Sequence, residues 1–295
     1  MINKIRLCFI LNSMIVISAF CIILFPLINI KGTQFWGYLS FLLLFAIVAV
    51  LLSILFSDNL YSSMQKENKS DKMQAEFIAN VTHELRTPLT SIKGFVETLR
   101  AGAYKDSVTA ERFLEIIDVE TERLCSLVND ILLLSEIESG QADTNREQCN
   151  VEEIVIDAVS VLSGYAEKKG VSITYDIQKD MTIYANKDRI KQMLINLIDN
   201  AIKYNVEEGV VQITAFNKDI NAVIAVKDTG IGIEQKSIPS IFERFYRVDK
   251  GRARSMGGTG LGLSIVKNII KLYNGNIITN SSIGHGTEFI ITLPN

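Results

Sequence analysis

The chain opens with two apolar runs, Leu7 to Ile30 and Phe35 to Phe56, and neither carries a charged residue. At about 1.5 Å per helical residue, either run is long enough to cross a hydrocarbon core of about 30 Å. The pattern predicts two transmembrane helices over 1–57, joined by the short turn "KGTQ" at 31–34, and then a polar linker helix over 58–72. From Phe77 the periodicity changes. Phe77, Val81, Leu85, Leu89, Ile92, Val96 and Leu99 recur at spacings of four and three, the stripe of a helix facing a bundle. After "AGAYKDS" a second stripe follows, Phe113, Ile117, Leu124, Leu127, Ile131 and Leu134, with a gap at Glu120. Two such helices form a hairpin over 73–140, and because two helices alone bury little, the pattern predicts pairing with a second copy into a four-helix bundle.

"SGQADTNREQC" ends the hairpin with turn residues. Beyond it the sequence predicts a helix over Val151 to Lys169, strands at "VSITYDI", "MTIYA", "VVQITAF" and "AVIAVKD", and helices over 187–204 and 261–273. "NIITNSS" and "GTEFIITLP" close the series as a hairpin. Mixed strands and helices over 148–295 suit one α/β sandwich domain.

Composition agrees with a membrane-bound chain: 48% of residues are apolar and the mean hydropathy is +0.22. Lys4 and Arg6 precede the first run and Lys66, Lys69 and Lys72 follow the second, against Lys31 alone between them. The positive-inside rule then places both termini in the cytoplasm of a multi-pass plasma-membrane protein. A cleaved signal peptide is a poorer reading, since the first run is too long and the second follows at once. With so short an outer turn, the input would come from membrane lipid, the linker helix or a membrane partner such as a transporter. A net charge of −3 and a pI near 5.6 argue against nucleic acid as a partner. Cys8, Cys21, Cys125 and Cys149 form no C-x-x-C pair and read as reduced packing residues.

Candidate chemistry sits at five places. In "VTHELRTPLT", His83 lies about 200° around the helix from the apolar stripe and faces solvent or a partner. Glu84 can take the proton of one ring nitrogen and leave the other as nucleophile, Thr87 shares the histidine's face, and Pro88 should bend the helix nearby. In "INLIDNAIKYN", Asn196 and Asn200 stand at i, i+4, where two amide oxygens can hold Mg²⁺ with phosphate oxygens and waters; Lys203 and Tyr204 follow one turn on. "VKDTGIGI" puts Asp228 at a strand end before Gly230 and Gly232, where a flat ring can approach the backbone and the carboxylate can accept from an exocyclic amine. "GGTGLGLSIV" offers Gly258, Gly260 and Gly262 at the mouth of a helix that can receive phosphate, and it fits neither the Walker nor the dinucleotide spacing. The basic "IFERFYRVDKGRARS" between them, anchored by Phe242 and Phe245, suits a lid over phosphates. Taken singly, each has a plainer reading: a surface histidine, a solvated helix face, a charged loop. His285 reads as part of a turn.

In this order the segments resemble the H box ("HELRTPLT"), N box ("NLIDNAIKY"), first G box ("DTGIGI"), F box ("IFERFYRVD") and second G box ("GGTGLGLSIVK") of the sensor histidine kinases of two-component systems, over residues 70–295. The resemblance implies a dimeric HisKA hairpin and a Bergerat-type ATP-binding sandwich. It implies ATP and Mg²⁺, with His83 as phosphoacceptor, Glu84 as general base and Thr87 positioning water for dephosphorylation of the partner. Asn196 and Asn200 would handle Mg²⁺, Lys203 and Tyr204 the phosphates and ribose side, Asp228 the adenine, and Arg247 and Arg252 the phosphates from the lid. The partner would be a cognate response regulator carrying the acceptor aspartate, docked around His83 and the loop near Tyr104. "HELRTPLTSIKGF" is similar to the branch of phosphate-starvation and vancomycin-resistance sensors, while the short outer loop is similar to kinases of cell-envelope stress. The wider superfamily of Hsp90, gyrase B and MutL shares the nucleotide fold but lacks the H box. Intact asparagines and glycines disfavour a non-catalytic scaffold.

Overall fold

The computed structural model describes Ile17 and residues 72–139, 145–248 and 258–294. The two apolar runs apart from Ile17, the linker up to residue 71, Cys8, Cys21 and Arg252 lie outside the described residues. No helix among the described residues is long and apolar enough to cross a membrane. The chain divides into two compact units, Met1–Ala79 and Asn80–Asn295, and the second holds most of the hairpin and all of the mixed domain.

Helical residues run from 72 to 100 (α1), a short 3-10 turn covers Ala103–Lys105, and α2 spans Ser107–Glu138. Phe95 and Phe113 close the hairpin near its loop with ring centroids 5.0 Å apart. The helical run continues through Pro88, whose ring is buried. The stripe of α2 is buried at Leu127 and Leu134 as its spacing predicts. On α1, Leu89 and Val96 of the stripe are 59% and 40% exposed in the single chain. At the gap in the second stripe Arg123 fills the space, 3.9 Å from Glu120 and 3.5 Å from Glu84.

The mixed domain is built on a five-stranded sheet in the order β2-β4-β5-β7-β6. Its strands are β2 (Ser172–Ile177), β4 (Val210–Lys218), β5 (Asn221–Asp228), β6 (Asn276–Ser281) and β7 (Thr287–Pro294). Only the β2–β4 pair is parallel. Helices α3 (Val151–Lys169), α4 (Lys187–Lys203) and α5 (Gly262–Leu272) bury one face each in the same core as the inward residues of β7, namely Thr287, Phe289, Ile291 and Leu293. Leu127, Leu134 and Ile137 of α2 join that core, and α2 packs on α5.

One strand is absent from the sequence reading. β1 (Glu147–Asn150) lies in the segment read as turn and pairs antiparallel with β3 (Thr182–Ala185). Four residues, "EQCN", are too few for a period to show, and only the partner strand makes them a strand. The pairing buries Cys149 with its sulfur 3.3 Å from the carbonyl of Ala185. Asn150 then caps α3 by accepting the N–H groups of Glu152 and Glu153, as Asn186 caps α4 through Asp188 and Arg189. Asn150→Ala and Asn186→Ala should each lower the unfolding free energy by about 1 kcal/mol, read as a lower denaturant midpoint at unchanged slope.

Candidate functional site

His83 is 61% exposed on α1. Its Nδ1 lies 3.9 Å from the Glu84 carboxylate, which is beyond hydrogen-bond reach. The tautomer-fixing bond expected from adjacency is therefore not closed in this arrangement. Adjacent positions on a helix do not face each other, and Arg123 of the other helix stands 3.5 Å from the second carboxylate oxygen of Glu84. Thr87 shares the histidine's side of the helix and donates its hydroxyl to the His83 carbonyl at 3.2 Å.

On α4, Asn196 and Asn200 stand opposite the buried Leu194, Leu197, Ile198 and Ala201. The Asn200 amide donates to the Asn196 carbonyl at 2.8 Å, and the Asn196 Nδ2 is buried without a hydrogen-bond partner. Lys203 is only 6% exposed; burial pushes its ammonium below the usual lysine range, and the Asp199 carboxylate opposes that. Burial likewise raises the Tyr204 phenol, with the Arg247 guanidinium pulling the other way.

Asp228 ends β5 at 8% exposure. A single oxygen, Oδ1, accepts the backbone N–H of Gly230 at 2.8 Å and of Thr287 at 3.1 Å. Burial raises this carboxyl and the two N–H groups act against it. Gly230 is required here for a different reason from the one its sequence suggests. A Cβ at this position would overlap the Tyr204 carbonyl, so the missing side chain lets the end of β5 close on the end of α4 rather than simply admitting a flat ring. Gly232, at φ +70°, is likewise pressed on the backbone of Ser282.

The second glycine cluster is packed on three sides. A Cβ at Gly258 would lie 3.1 Å from the Lys203 ammonium, one at Gly262 would lie 3.4 Å from the Asn196 Oδ1, and one at Gly260 would lie 2.9 Å from the Phe245 Cα. Phe242, the other lid anchor, packs edge-on against Phe289 at 6.2 Å. Between the glycines Thr259 donates to Asp130 of α2 at 3.0 Å. Lower on α2, Glu136 takes Arg189 at 2.6 Å and Glu138 takes Arg244. Asn196, Asn200, Lys203, Tyr204, Arg247, Gly258, Gly260 and Gly262 thus line one region, with Asp228, Gly230 and Gly232 joined to it through Tyr204. His83 and Glu84 lie on the hairpin, and His285 is exposed in the β6–β7 turn.

Two family models match. The His Kinase A (phospho-acceptor) domain covers residues 73–140, and the histidine kinase-, DNA gyrase B- and HSP90-like ATPase covers residues 185–295. The first contains His83 and the second contains both asparagines and every glycine discussed above. The chain belongs to the sensor histidine kinases. The sensor histidine kinase WalK of Bacillus subtilis (strain 168) is 40% identical over 234 residues, 78% of this chain and 38% of that protein. The chain spans between 38% and 55% of the length of the curated kinases it matches. Among solved structures, the Acinetobacter baumannii histidine kinase AdeS is 28% identical with a TM-score of 0.58, covering 72% of this chain and 97% of that one. The histidine kinase ThkA, solved in complex with the response regulator protein TrrA, is 27% identical with a TM-score of 0.61, covering 79% and 65%.

Several polar residues of this sensor histidine kinase had no part in the sequence reading. Asp199 stands at i−4 from Lys203, a spacing that could have flagged it. Thr287 follows a glycine in the closing hairpin and supplies its N–H to Asp228. Asp130 carries no local signal, because its partner is more than a hundred residues away. Its carboxyl is raised from 3.8 to about 6, first by burial, with the Thr259 hydroxyl pulling down and Asp199 pushing up. A folded-state value above the unfolded one means that the fold favours the protonated form, so stability falls as pH rises from about 4 to about 6 and is level above that. A carboxyl ¹³C titration should place the Asp130 midpoint near 6, and Thr259→Val should move it upward by removing the hydrogen bond to the charged form.

Proposed function

We propose that the chain is a membrane-anchored kinase that phosphorylates His83 from ATP and passes the phosphoryl group to an aspartate on a separate response regulator, which it also dephosphorylates. The observation that carries this reading is an exposed histidine beside a carboxylate on the same chain as a cluster in which Gly258 and Gly262 stand against a buried lysine and the Asn196 amide.

Because Nδ1 is the ring nitrogen nearest Glu84, Nε2 is the nucleophile. Its bond to the γ-phosphorus forms as the bond to the bridging oxygen breaks and ADP leaves, and the Nδ1 proton passes to Glu84. That transfer needs the 3.9 Å gap to close to about 3.2 Å or less, a small swing against the hold of Arg123. Asn196 and Asn200 would hold Mg²⁺ through their amide oxygens, that of Asn196 facing Gly262, while the buried, unpartnered Nδ2 of Asn196 fits an acceptor such as a phosphate oxygen beside the ion. When bound, the ion would neutralise charge on the phosphate oxygens. Lys203 and Tyr204 would meet the phosphates and ribose side, with Arg247 and Arg252 covering them from the lid. Gly258, Gly260 and Gly262 would let the phosphates reach the head of α5. Asp228 keeps Oδ2 for the adenine amine, since Oδ1 is already doubly bonded. Thr87 would turn its hydroxyl from the His83 carbonyl to hold the water that dephosphorylates the regulator.

Pairing of two hairpins is supported by apolar residues left uncovered on them: Leu89 and Val96 on α1, and Leu114, Val128 and Leu132 on α2. The ThkA–TrrA complex supports a response regulator as partner, which would dock around His83 and the loop near Tyr104, 62% exposed. Membrane anchoring with cytoplasmic termini rests on the uncharged runs and their flanking lysines.

The cytoplasmic fragment from about Asp71, incubated with labelled ATP and Mg²⁺, should acquire an acid-labile, base-stable phosphate. Labelling of His83→Gln at the wild-type level would sink the reading. Asn200→Asp and Gly260→Ala should abolish labelling. Thr87→Ala should keep labelling and lose regulator dephosphorylation, measured as decay of the phospho-regulator.

A further inference from the structure

Residues 258–260 read Gly-Thr-Gly, so this stretch has one side chain beyond hydrogen, that of Thr259. A loop so poor in side chains has little of its own to fix its backbone, and glycine loses more freedom on ordering than any other residue. What Thr259 touches therefore decides how well the loop is held. Its hydroxyl has one proton. The oxygen accepts the N–H of Leu261 at 3.2 Å, at the head of α5, and the proton goes to Asp130 Oδ2 at 3.0 Å. Leu261 itself is fully buried. The hydroxyl thus joins three bodies: the glycine loop, the first turn of α5 and the second helix of the hairpin.

Asp130 has no comparable partner on its own helix. It stands half-buried where α2 packs on the nucleotide domain, with the Asp199 carboxylate facing it from α4. Keeping a carboxylate there is unfavourable twice over, through lost solvation and through a like charge. The hydrogen bond from Thr259 is the favourable contact recorded for it, and the bond exists only while the hairpin is docked on the loop.

We infer that Asp130 is a positioning residue for ATP binding, acting through Thr259 to hold the glycine loop in the form that receives the phosphates. The inference rests on the phosphotransfer reading for the identity of the ligand. It adds that the hairpin completes the nucleotide site as well as supplying the histidine. Asp130 itself touches no substrate, and its effect is confined to how much order the loop must gain on binding.

The test uses the purified full chain and reads both KM for ATP in His83 labelling and direct affinity for a non-hydrolysable ATP analogue. Loss of one charge-assisted hydrogen bond predicts that Asp130→Ala and Thr259→Val each weaken analogue binding and raise KM by about tenfold, with kcat within about twofold. Asp130→Asn and Thr259→Ser keep an acceptor and a donor and should recover most of the loss. The double variant Asp130→Ala/Thr259→Val should be no worse than either single one, because both remove the same bond. Affinity within about twofold of wild type in Asp130→Ala, additive losses in the double variant, or a loss in Asp130→Asn equal to that in Asp130→Ala would each overturn the proposal. A chain that binds the analogue but never labels His83 would defeat the phosphotransfer reading, while the binding comparison would still decide the role of Asp130.

Discussion

The nucleotide domain depends on backbone packed directly against backbone where its glycine turns meet. A side chain at Gly230 would collide with the carbonyl of Tyr204, one at Gly232 with Ser282, and one at Gly286 with the carbonyl of Asp228. These contacts lock the end of α4, the end of β5 and the β6–β7 turn into one another. The Asp228 carboxylate is then aimed by two N–H groups from two of those turns, and its position is a property of the whole junction. Because interiors pack as tightly as crystals, a methyl group inserted there is felt by three elements at once.

Charge is handled with the same economy. Burial pushes the almost fully buried Lys203 ammonium below the usual lysine range, Asp199 four residues earlier on the same helix opposes that, and Asp199 is in turn one of the groups that make ionisation of Asp130 unfavourable. A pocket meant for a polyphosphate must hold positive charge in a dry place, and isolated buried charge is costly. The ammonium itself lies beside Gly258, where a Cβ would come within 3.1 Å of it.

Much of this was legible in the sequence, and for identifiable reasons. α3, α4 and the strands from Ser172 to Asp228 announce themselves because each has a long enough period, a cap or a glycine stop. The five motifs were legible because each is local. What escaped depends on the partner and not on the stretch itself. β1 is a strand only because β3 lies beside it, and the guanidinium near Glu84 comes from the other arm of the hairpin. Asp130, three residues after Leu127 and four before Leu134, flanks the buried stripe, but its partner Thr259 lies far along the chain.

The order of the sheet has a consequence for how the protein comes into being. β7, the final strand in sequence, is an inner strand between β5 and β6, and its first residue completes the hydrogen bonding of Asp228. The hairpin precedes the sheet in synthesis, but Leu127, Leu134 and Ile137 of its second helix are buried in the core of the mixed domain, and the sheet must wait for distant segments to meet. A nascent chain therefore carries the Asp228 carboxylate at the end of β5 before the N–H that completes its hydrogen bonding has been made. The junction at Asp228 closes only when β7 has joined the sheet.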